Sequence, residues 1–418
     1  MATPKFQAPR GTFDVLPEVA GMRGRIERAA AAIFARAGYE PIATPVFEDT
    51  ELFERGVGHS TDIVRKEMFT FEDKGGRSLT LRPEGTAPIC RAYLEHGMQK
   101  RAQPVKLSYR GPFFRHERPQ AGRYRQFHQI GIEAIGTASP AADAEAIAML
   151  HTLIGELGVP GVQLRLGSLG SLDTRRAYLK ELKAYLRKHE GDLSKEVRER
   201  IELNPLRAFD ADDAGTQEVM QAAPKLVDCL EKEDSAHFAA LRAYLDVTGV
   251  KYTIDPTLVR GLDYYTRTIF SFVCDRLGAQ SEIGGGGRYD GLIEQLGGPP
   301  TPAVGWAVGV ERIMLALEDV PSESIEESQW PVFIAVNYDK LTEQALALAA
   351  ELRGAGMWAE FDLAGRGVKG QLKHANRIGA RYVVILDEGG AQLRDMASGE
   401  QRPVEADNLI EELTGGEA

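Results

Sequence analysis

The chain has 418 residues, of which 43% are hydrophobic and 27% are charged, and its formal net charge is −11. This length exceeds what one hydrophobic core usually supports, so the sequence predicts at least two domains of ordinary globular composition. The acidic balance excludes bulk basic attraction to nucleic acid, so any such partner must be held by local basic patches.

The three cysteines, Cys90, Cys229 and Cys274, lie far apart in sequence and form no CxxC pair. This spacing argues against a zinc site or a redox dithiol and fits a reducing cytosol. The first residues hold no apolar core of signal-peptide length, and no run approaches the roughly 18 apolar residues that span a bilayer. We therefore expect a cytoplasmic protein without a membrane anchor.

The N-terminal region predicts a helix at 22–37, ended by Gly38 and followed by a strand at 39–47 that contains Pro45. Further on, residues 67–71 and 78–81 predict a short hairpin. The string Arg82-Pro83-Glu84-Gly85-Thr86 then precedes a predicted helix at 87–96, for which Thr86 is the expected N-cap. Taken alone, Glu84 is a carboxylate near a helix start, where it stabilises an exposed helix by less than about 1 kcal/mol.

Residues 108–136 predict a long antiparallel hairpin with a basic tip. Alternation along its second strand places Gln129 and Glu133 on one face, with Gly131 between them leaving room for a ligand. Arginine side chains suit phosphate because the guanidinium donates two parallel hydrogen bonds. A solvated charged hairpin is the alternative, although interior polar groups on a strand require partners. The arginines of this hairpin are Arg110, Arg115, Arg118, Arg123 and Arg125.

From about residue 173 to 249 the pattern is almost entirely helical, which predicts an inserted helical domain between strand-rich neighbours. The expected helices cover residues 175–189, 195–203, 216–230 and 235–247. Strands are predicted to resume at 250–274, where Arg260-Gly261-Leu262-Asp263-Tyr264-Tyr265 occurs. In a strand, two adjacent tyrosines point to opposite faces, so one core and one surface tyrosine is an open alternative.

Four successive glycines, residues 284–287, allow a close backbone approach to a ligand but also suit a flexible turn. They match neither a phosphate loop nor a dinucleotide fingerprint. Residues 305–317 predict a strand that leads into a helix, with Arg312 near the helix start. A cation is unfavourable there, and a bound anion would offset it.

Residues 321–329 are an acidic linker, after which strands and helices alternate in a small α/β unit. Its predicted elements include a strand at 332–336 and helices at 341–353, 368–378 and 407–413. Basic residues spaced by three or four share one helical face in this unit. This basic face is either solvated or contacts nucleic acid; it comprises Arg366, Lys369, Lys373, Arg377 and Arg381.

Several of these strings resemble class II aminoacyl-tRNA synthetases. Phe114-Arg115-His116-Glu117 is similar to motif 2, and its continuation through Gln129 resembles the histidyl-tRNA synthetases of the bacterial type. The helix and strand ending at Phe47 resemble motif 1, which implies a homodimer interface at 22–47. Residues 305–317 resemble motif 3, with Ala307 where the general pattern has glycine. The strings LRPEGT, RGLDYY and GGGGRYDGL occur in the family's order.

The resemblance implies an α+β fold with an antiparallel sheet and flanking helices. The catalytic domain would span residues 1–325, with the helical insertion at about 173–249 embracing the acceptor arm of tRNA. An anticodon-binding α/β domain would span residues 330–418. The implied reaction uses ATP, with Mg²⁺ as its complex, to activate L-histidine and then transfers it to tRNA(His).

The resemblance also implies roles for individual residues. It implies no metal ligand among the protein side chains. Arg115 and Arg260 would hold the α-phosphate, and Arg123 and Arg312 the outer phosphates. Glu117 would lie on the adenine side. The substrate amine would be bound by Glu84, Thr86 and Gln129, and the imidazole by Glu133 and Tyr265 with help from Tyr264.

Two rival functions are open at this point. A regulatory paralogue of the synthetases, as in histidine biosynthesis, is disfavoured by the string 260–265 and the terminal domain. A nucleic-acid-binding module without activity would not need Glu84, Gln129 and Glu133 to converge. A class I synthetase is disfavoured because neither HIGH nor KMSKS occurs.

Overall fold

The computed structural model of the chain describes residues 6–318, 331–336, 341–405 and 408–414. The chain forms two compact units, Met1–Asp319 and Val320–Ala418. The predicted linker at 321–329 lies outside the described residues. None of the helices in the described ranges is long and apolar enough to cross a membrane.

The strands of the first unit are β1 (Glu40–Pro41), β2 (Phe47–Asp49), β3 (Phe69–Glu72), β4 (Ser78–Leu81), β5 (Val105–Phe114), β6 (Gln126–Ile135), β7 (Val162–Ser168), β8 (Thr253–Ile254), β9 (Thr266–Cys274), β10 (Glu282–Arg288) and β11 (Ala303–Gly309). Eight of them form one sheet in the order β1-β5-β6-β11-β10-β9-β7-β8, and a small sheet has the order β2-β4-β3. The large sheet is antiparallel except for its two edge pairs, β1 with β5 and β7 with β8.

The helices of this unit are α1 (Pro17–Arg36), α2 (Thr50–Val57), α3 (Thr86–Glu95), α4 (Pro140–Glu156), α5 (Leu172–Lys188), α6 (Lys195–Arg200), α7 (Ala214–Gln221), α8 (Lys232–Val247), α9 (Leu292–Gln295) and α10 (Val310–Ala316). A π-helical turn occupies Ile63–Glu67. Short 3-10 helices include Pro205–Asp210 and Leu226–Cys229. These elements confirm the predicted α+β class.

The predicted long hairpin is confirmed. Its strands β5 and β6 pair over ten residues, from Val105 opposite Ile135 to Phe114 opposite Gln126. Ile130 and Ile132 are buried on one face of β6, and Gly131 and Glu133 are buried on the other, so both faces of this half of the strand are covered.

Several predicted elements are wrong in extent, and for two of them the structure shows the reason. The strand expected at 39–47 is two strands, because the chain leaves the large sheet after Pro41 and joins the small sheet at Phe47. Between them, the carbonyl of Thr44 accepts a hydrogen bond from Arg82 Nη1 at 2.9 Å. The helix expected at 216–230 ends at Gln221, and Pro224, which has no N–H to donate, follows it.

The four glycines lie in β10, an interior strand between β9 and β11, so the flexible-turn alternative is wrong. A Cβ atom at Gly285 would lie 2.9 Å from Arg260 Nη1 and 2.4 Å from the carbonyl oxygen of Phe270. Arg288, which follows the glycines, is fully buried and pairs with Asp143 of α4 at 2.7 Å. The absence of side chains at the glycines therefore lets β10 lie directly beneath Arg260.

The helical insertion shares its core with the sheet. Tyr178, Leu182 and Leu206 of the insertion belong to the same buried cluster as Tyr264 and Tyr265. Since the cluster is continuous, the insertion is packed against the strings that carry the predicted site.

The second unit contains β12 (Val332–Val336), β13 (Ala359–Phe361), β14 (Tyr382–Asp387), β15 (Gly390–Asp395) and β16 (Gln401–Val404), in the sheet order β13-β12-β14-β15-β16. Its described helices are α11 (Thr342–Gly354), α12 (Val368–Arg377) and α13 (Leu409–Thr414). Alternate residues of β12 pack into two clusters: Ile334 with residues of α11, and Phe333 with Ala375 of α12. Helices thus cover both faces. Residue 407, where the last helix was expected to begin, lies outside the described residues.

Candidate active site

A cleft of about 550 Å³ opens on the large sheet, above the central strands β6, β10 and β11. All the predicted site residues line this cleft except Glu133. Of the five arginines of the hairpin, Arg115 and Arg123 line it, whereas Arg110 and Arg118 are exposed outside it. The hairpin is therefore only one of several sources of positive charge in the cleft.

Glu84 is 4% exposed and sits at the start of α3. Its Oε2 accepts a hydrogen bond from the Thr86 N–H at 2.8 Å, and its Oε1 accepts one from the Ala87 N–H at 2.9 Å. Burial raises the pKa of Glu84, and these two backbone donors oppose the rise. The expected capping role of Thr86 is wrong, since Gly85 is the N-cap residue and Glu84 satisfies the free N–H groups.

The Thr86 hydroxyl donates instead to Glu133 Oε1 at 2.8 Å. The other oxygen of Glu133 accepts from the Tyr289 hydroxyl at 2.5 Å. Glu133 is 1% exposed, and burial raises its pKa to about 8. It forms no ion pair with any described arginine, so pairing within the hairpin does not explain it.

The space expected beside Gly131 is occupied by a tyrosine. A Cβ atom at Gly131 would lie 2.5 Å from the Tyr109 hydroxyl oxygen, so the predicted ligand gap between Gln129 and Glu133 is wrong. Gln129 itself lines the cleft, and its Oε1 is buried with no hydrogen-bond partner among the described residues. An unsatisfied buried acceptor is costly, which favours a donor from a bound molecule.

Tyr264 and Tyr265 are both buried, at 4% and 5% exposure, so the alternative of one core and one surface tyrosine is wrong. They directly precede β9 and lie outside any strand, where strand alternation does not apply. Their ring centroids are 4.7 Å apart, and the Tyr264 hydroxyl donates to Glu84 Oε2 at 3.4 Å. The two rings therefore form one wall of the cleft beside Glu84.

Arg260 lies at the edge of this wall. Its Nη1 contacts Glu282 Oε1 at 2.6 Å, and its guanidinium carbon lies 5.8 Å from the centre of the Tyr265 ring. Its Nε is buried and has no hydrogen-bond partner in the described part of the chain. The guanidinium is thus fixed on one side and has a free donor on the other.

Three further arginines surround Glu117 and the turn of the hairpin. Arg123 Nε lies 3.1 Å and Arg115 Nη1 lies 3.8 Å from the Glu117 carboxylate. Arg312 Nε donates to the Gly122 carbonyl at 3.1 Å, and burial lowers the pKa of Arg312. Charges of one sign gathered in this way favour an anionic ligand.

The sequence did not point to several residues of the cleft. Arg207 and Asp210 reach it from the 3-10 helix of the insertion, and Glu282 reaches it from the start of β10. No local sequence pattern indicates that these residues reach the cleft, because only the packing of the insertion against the sheet places them there. Tyr289 lay within the recognised glycine string but had no assigned role.

The chain as a whole is similar to one group of known proteins. Residues 11–313 match the profile of a family described as histidyl-tRNA synthetase, and residues 331–415 match one described as an anticodon binding domain. A histidine–tRNA ligase of Halothermothrix orenii is 47% identical over 412 residues, which cover 97% of this chain and 98% of that protein.

Solved structures give the same picture. The crystal structure of apo histidyl-tRNA synthetase from S. aureus has a TM-score of 0.82 at 36% identity and covers 97% of this chain and 99% of its own. A Bacillus halodurans protein named as ATP phosphoribosyltransferase regulatory subunit/histidyl-tRNA synthetase has a TM-score of 0.66 at 26% identity, with 92% and 99% covered. The similarity therefore extends along nearly the whole chain.

The raised pKa of Glu133 predicts a measurable pH effect on stability. Between its ordinary value of 4.5 and about 8, the folded chain holds a proton that the unfolded chain has lost. The titration of Glu133 therefore lowers the stability of the folded chain as the pH rises through this range. Glu133→Gln removes the titration, so its melting temperature relative to wild type should rise by a few degrees between pH 5 and pH 9.

Thermal unfolding across this pH range measures the difference. The matched control is Glu218→Gln, which changes an exposed carboxylate of α7 and should give a constant difference. A pH-independent difference for Glu133→Gln as well would contradict the raised pKa.

Proposed function

Since the chain belongs to the histidyl-tRNA synthetase family, we propose that one end of the cleft binds histidine and the other binds the phosphates of ATP. The chain is an enzyme that activates L-histidine with ATP to histidyl-adenylate, releases pyrophosphate and transfers histidine to the 3′ end of tRNA(His). This activity excludes the regulatory paralogue and the non-catalytic module. The proposal rests chiefly on two buried atoms that have no hydrogen-bond partner among the described residues, the acceptor Gln129 Oε1 and the donor Arg260 Nε.

The amine of histidine is assigned to Glu84, Thr86 and Gln129. An ammonium group has three N–H donors and no acceptor. The three residues offer a carboxylate, a hydroxyl oxygen and an amide oxygen, and all of them line the cleft. Because the Thr86 hydroxyl already donates to Glu133, its oxygen is left to accept.

The imidazole is assigned to Glu133 and Tyr265, assisted by Tyr264. A neutral imidazole has one donor and one acceptor nitrogen, which a carboxylate and a hydroxyl can satisfy together. Glu133 lies behind the cleft wall and accepts from Thr86 and Tyr289, yet each carboxylate oxygen has a second lone pair. An imidazole N–H donated to such a lone pair would favour the ionised carboxylate over the protonated form that burial stabilises in the free chain.

The phosphates are assigned to the arginines: Arg115 and Arg260 at the α-phosphate, and Arg123 and Arg312 at the outer phosphates. Glu117 is placed on the adenine side. In the first step, a carboxylate oxygen of histidine attacks the α-phosphorus and pyrophosphate leaves. The protein supplies no nucleophile, so its contribution is to align the reactants and to stabilise the charge that develops on phosphate.

We propose that Mg²⁺ enters bound to ATP. Within the described residues, no group of three or more His, Cys, Asp or Glu side chains is arranged to hold a metal ion. Mg²⁺ commonly binds through substrate phosphates, waters and only one or two carboxylates, so the acidic side chains of the cleft suffice. When bound, the ion would neutralise phosphate charge.

We also propose that residues 1–325 form the catalytic domain, with the insertion at about 173–249 contacting the acceptor arm. Residues 330–418 would bind the anticodon region through the basic face of α12. Lys369, Lys373 and Arg377 are exposed there and form no ion pair with another described residue. Arg366 differs, because it is paired with Asp362 at 2.6 Å.

A homodimer through residues 22–47 is proposed as well. Val46 and Phe47 are exposed beside Phe71 on the small sheet, with the two phenylalanine rings 6.3 Å apart. Exposed apolar clusters of this kind often mark protein interfaces. A fully active monomer in sedimentation would exclude it. A cytoplasmic location is proposed because the three cysteines are free thiols.

Arg260→His should lower the rate of adenylate formation by ~10²–10³, because a donor aimed at the α-phosphate is removed as charge develops there. Histidine affinity should change much less. Pre-steady-state measurement of adenylate formation separates the two effects. Arg110→His, at an exposed position of β5, is the control. A near-normal rate with only weaker apparent affinity would rule out the assignment.

Replacing Lys369 and Lys373 by Glu should weaken tRNA charging. It should also reduce the salt dependence of tRNA binding: the slope of log affinity against log salt concentration should fall by about 1 for each phosphate that is no longer neutralised. Pyrophosphate exchange without tRNA should persist. Arg366→Gln, which removes a charge already paired with Asp362, should weaken tRNA charging less. If exchange fell together with charging in a folded variant, the separation of tRNA binding from activation would be wrong.

A further inference from the structure

Asp263, in the turn between Arg260 and the two tyrosines, is bonded to three separate parts of the chain. Its Oδ1 accepts from Asn204 Nδ2 at 3.2 Å, and its Oδ2 accepts from the Ser60 hydroxyl. Its backbone N–H donates to the Val57 carbonyl at 3.2 Å. Its carbonyl accepts from Arg175 Nη1 at 2.8 Å. Hydrogen bonds of both the side chain and the backbone of Asp263 therefore hold this turn in place.

The segment after α2 is shaped around the Asp263 carboxylate. Gly58 has a φ of +102°, a conformation that favours glycine. A Cβ atom at Gly58 would lie 2.8 Å from Asp263 Oδ2. The close approach of Ser60 to the carboxylate therefore depends on a glycine at this position.

Two of the bonding partners belong to the helical insertion. Arg175 lies in α5 and also donates to the Tyr265 carbonyl at 3.1 Å. Asn204 directly precedes the 3-10 helix whose Arg207 lines the cleft. Nearby, Arg200 of α6 pairs with Asp62 at 3.2 Å, beside the turn that contains Ser60. The insertion thus contacts both segments that meet at Asp263.

We propose that Asp263 is a positioning residue that holds Arg260, Tyr264 and Tyr265 in place and links their position to that of the helical insertion. The proposal rests on the roles proposed above for those three residues. Arg260 is three residues from Asp263, in irregular chain outside any strand. A misplacement of about 1 Å at a reacting group can cost ~10²-fold in rate. Contacts made by tRNA on the insertion would therefore affect the activation step.

The test compares Asp263→Ala with Asp263→Asn in the full chain. The alanine variant loses both side-chain bonds, so the rate of adenylate formation at saturating substrates should fall by ~10–100-fold. The asparagine variant can still accept from Asn204 and can donate to the Ser60 oxygen, so its rate should stay within about threefold of wild type. Asp255→Ala is the matched control, because that carboxylate bonds only to Thr257 and Arg165 among the described side chains.

Asn204→Ala and Ser60→Ala each remove a single bond and keep the proposal testable if Asp263→Ala does not fold. Asn204→Ala should slow adenylate formation, and combined with Asp263→Ala it should slow the reaction no further, because both break the same hydrogen bond. A melting temperature that falls while the rate is unchanged would make Asp263 merely structural and overturn the inference.

Failure of this inference is distinguishable from failure of the proposed function. If Arg260→His is slow but Asp263→Ala and Asn204→Ala are both normal, the positioning role is wrong and the phosphate assignment stands. If Arg260→His is normal, the assignment of Arg260 fails whatever the Asp263 variants show.

Discussion

The cleft depends on the way Thr86 joins two buried carboxylates. Its backbone N–H donates to Glu84 and its hydroxyl donates to Glu133, so one residue fixes the start of α3 against β6. Carboxylates removed from water must be hydrogen-bonded, and like charges raise each other's pKa. The result is an acceptor-rich end of the cleft that suits a cationic amine and cannot tolerate an apolar substitute without leaving acceptors unpaired.

The other end of the cleft has the opposite charge, and its geometry depends on β10. A side chain at Gly285 of this strand would collide with Arg260, so glycine lets the guanidinium approach the sheet closely. Arg312 bridges the hairpin turn and the start of the same strand, bonding the carbonyls of Gly122 and Glu282. Because these arginines are held by neutral carbonyls or by single carboxylates, they retain donors for phosphate.

Periodicity and turn residues predicted the fold well where the local pattern decides the structure. The long hairpin of β5 and β6 was predicted correctly, and so was the order of strands and helices in the second unit. Prediction failed where tertiary contacts determine the local structure. Glycines usually weaken strands, so β10 was not expected to be interior. Thr86 was expected to cap α3, but the carboxylate of Glu84, two residues earlier, accepts from the free N–H groups at the helix start. Arg207 and Asp263 could not have been connected to the cleft and the insertion, because their partners lie far away in sequence.

Pyrophosphate exchange with each of the twenty amino acids, for wild type and for Glu133→Gln, tests the central claim most directly. A cleft built to bond polar atoms rejects substrates lacking them by ~10⁴–10⁵. We expect wild-type exchange with histidine alone and a clear loss of that selectivity in the variant, with the KM for ATP little changed. Comparable exchange with another amino acid in the wild type, or unaltered selectivity in the variant, would contradict the account.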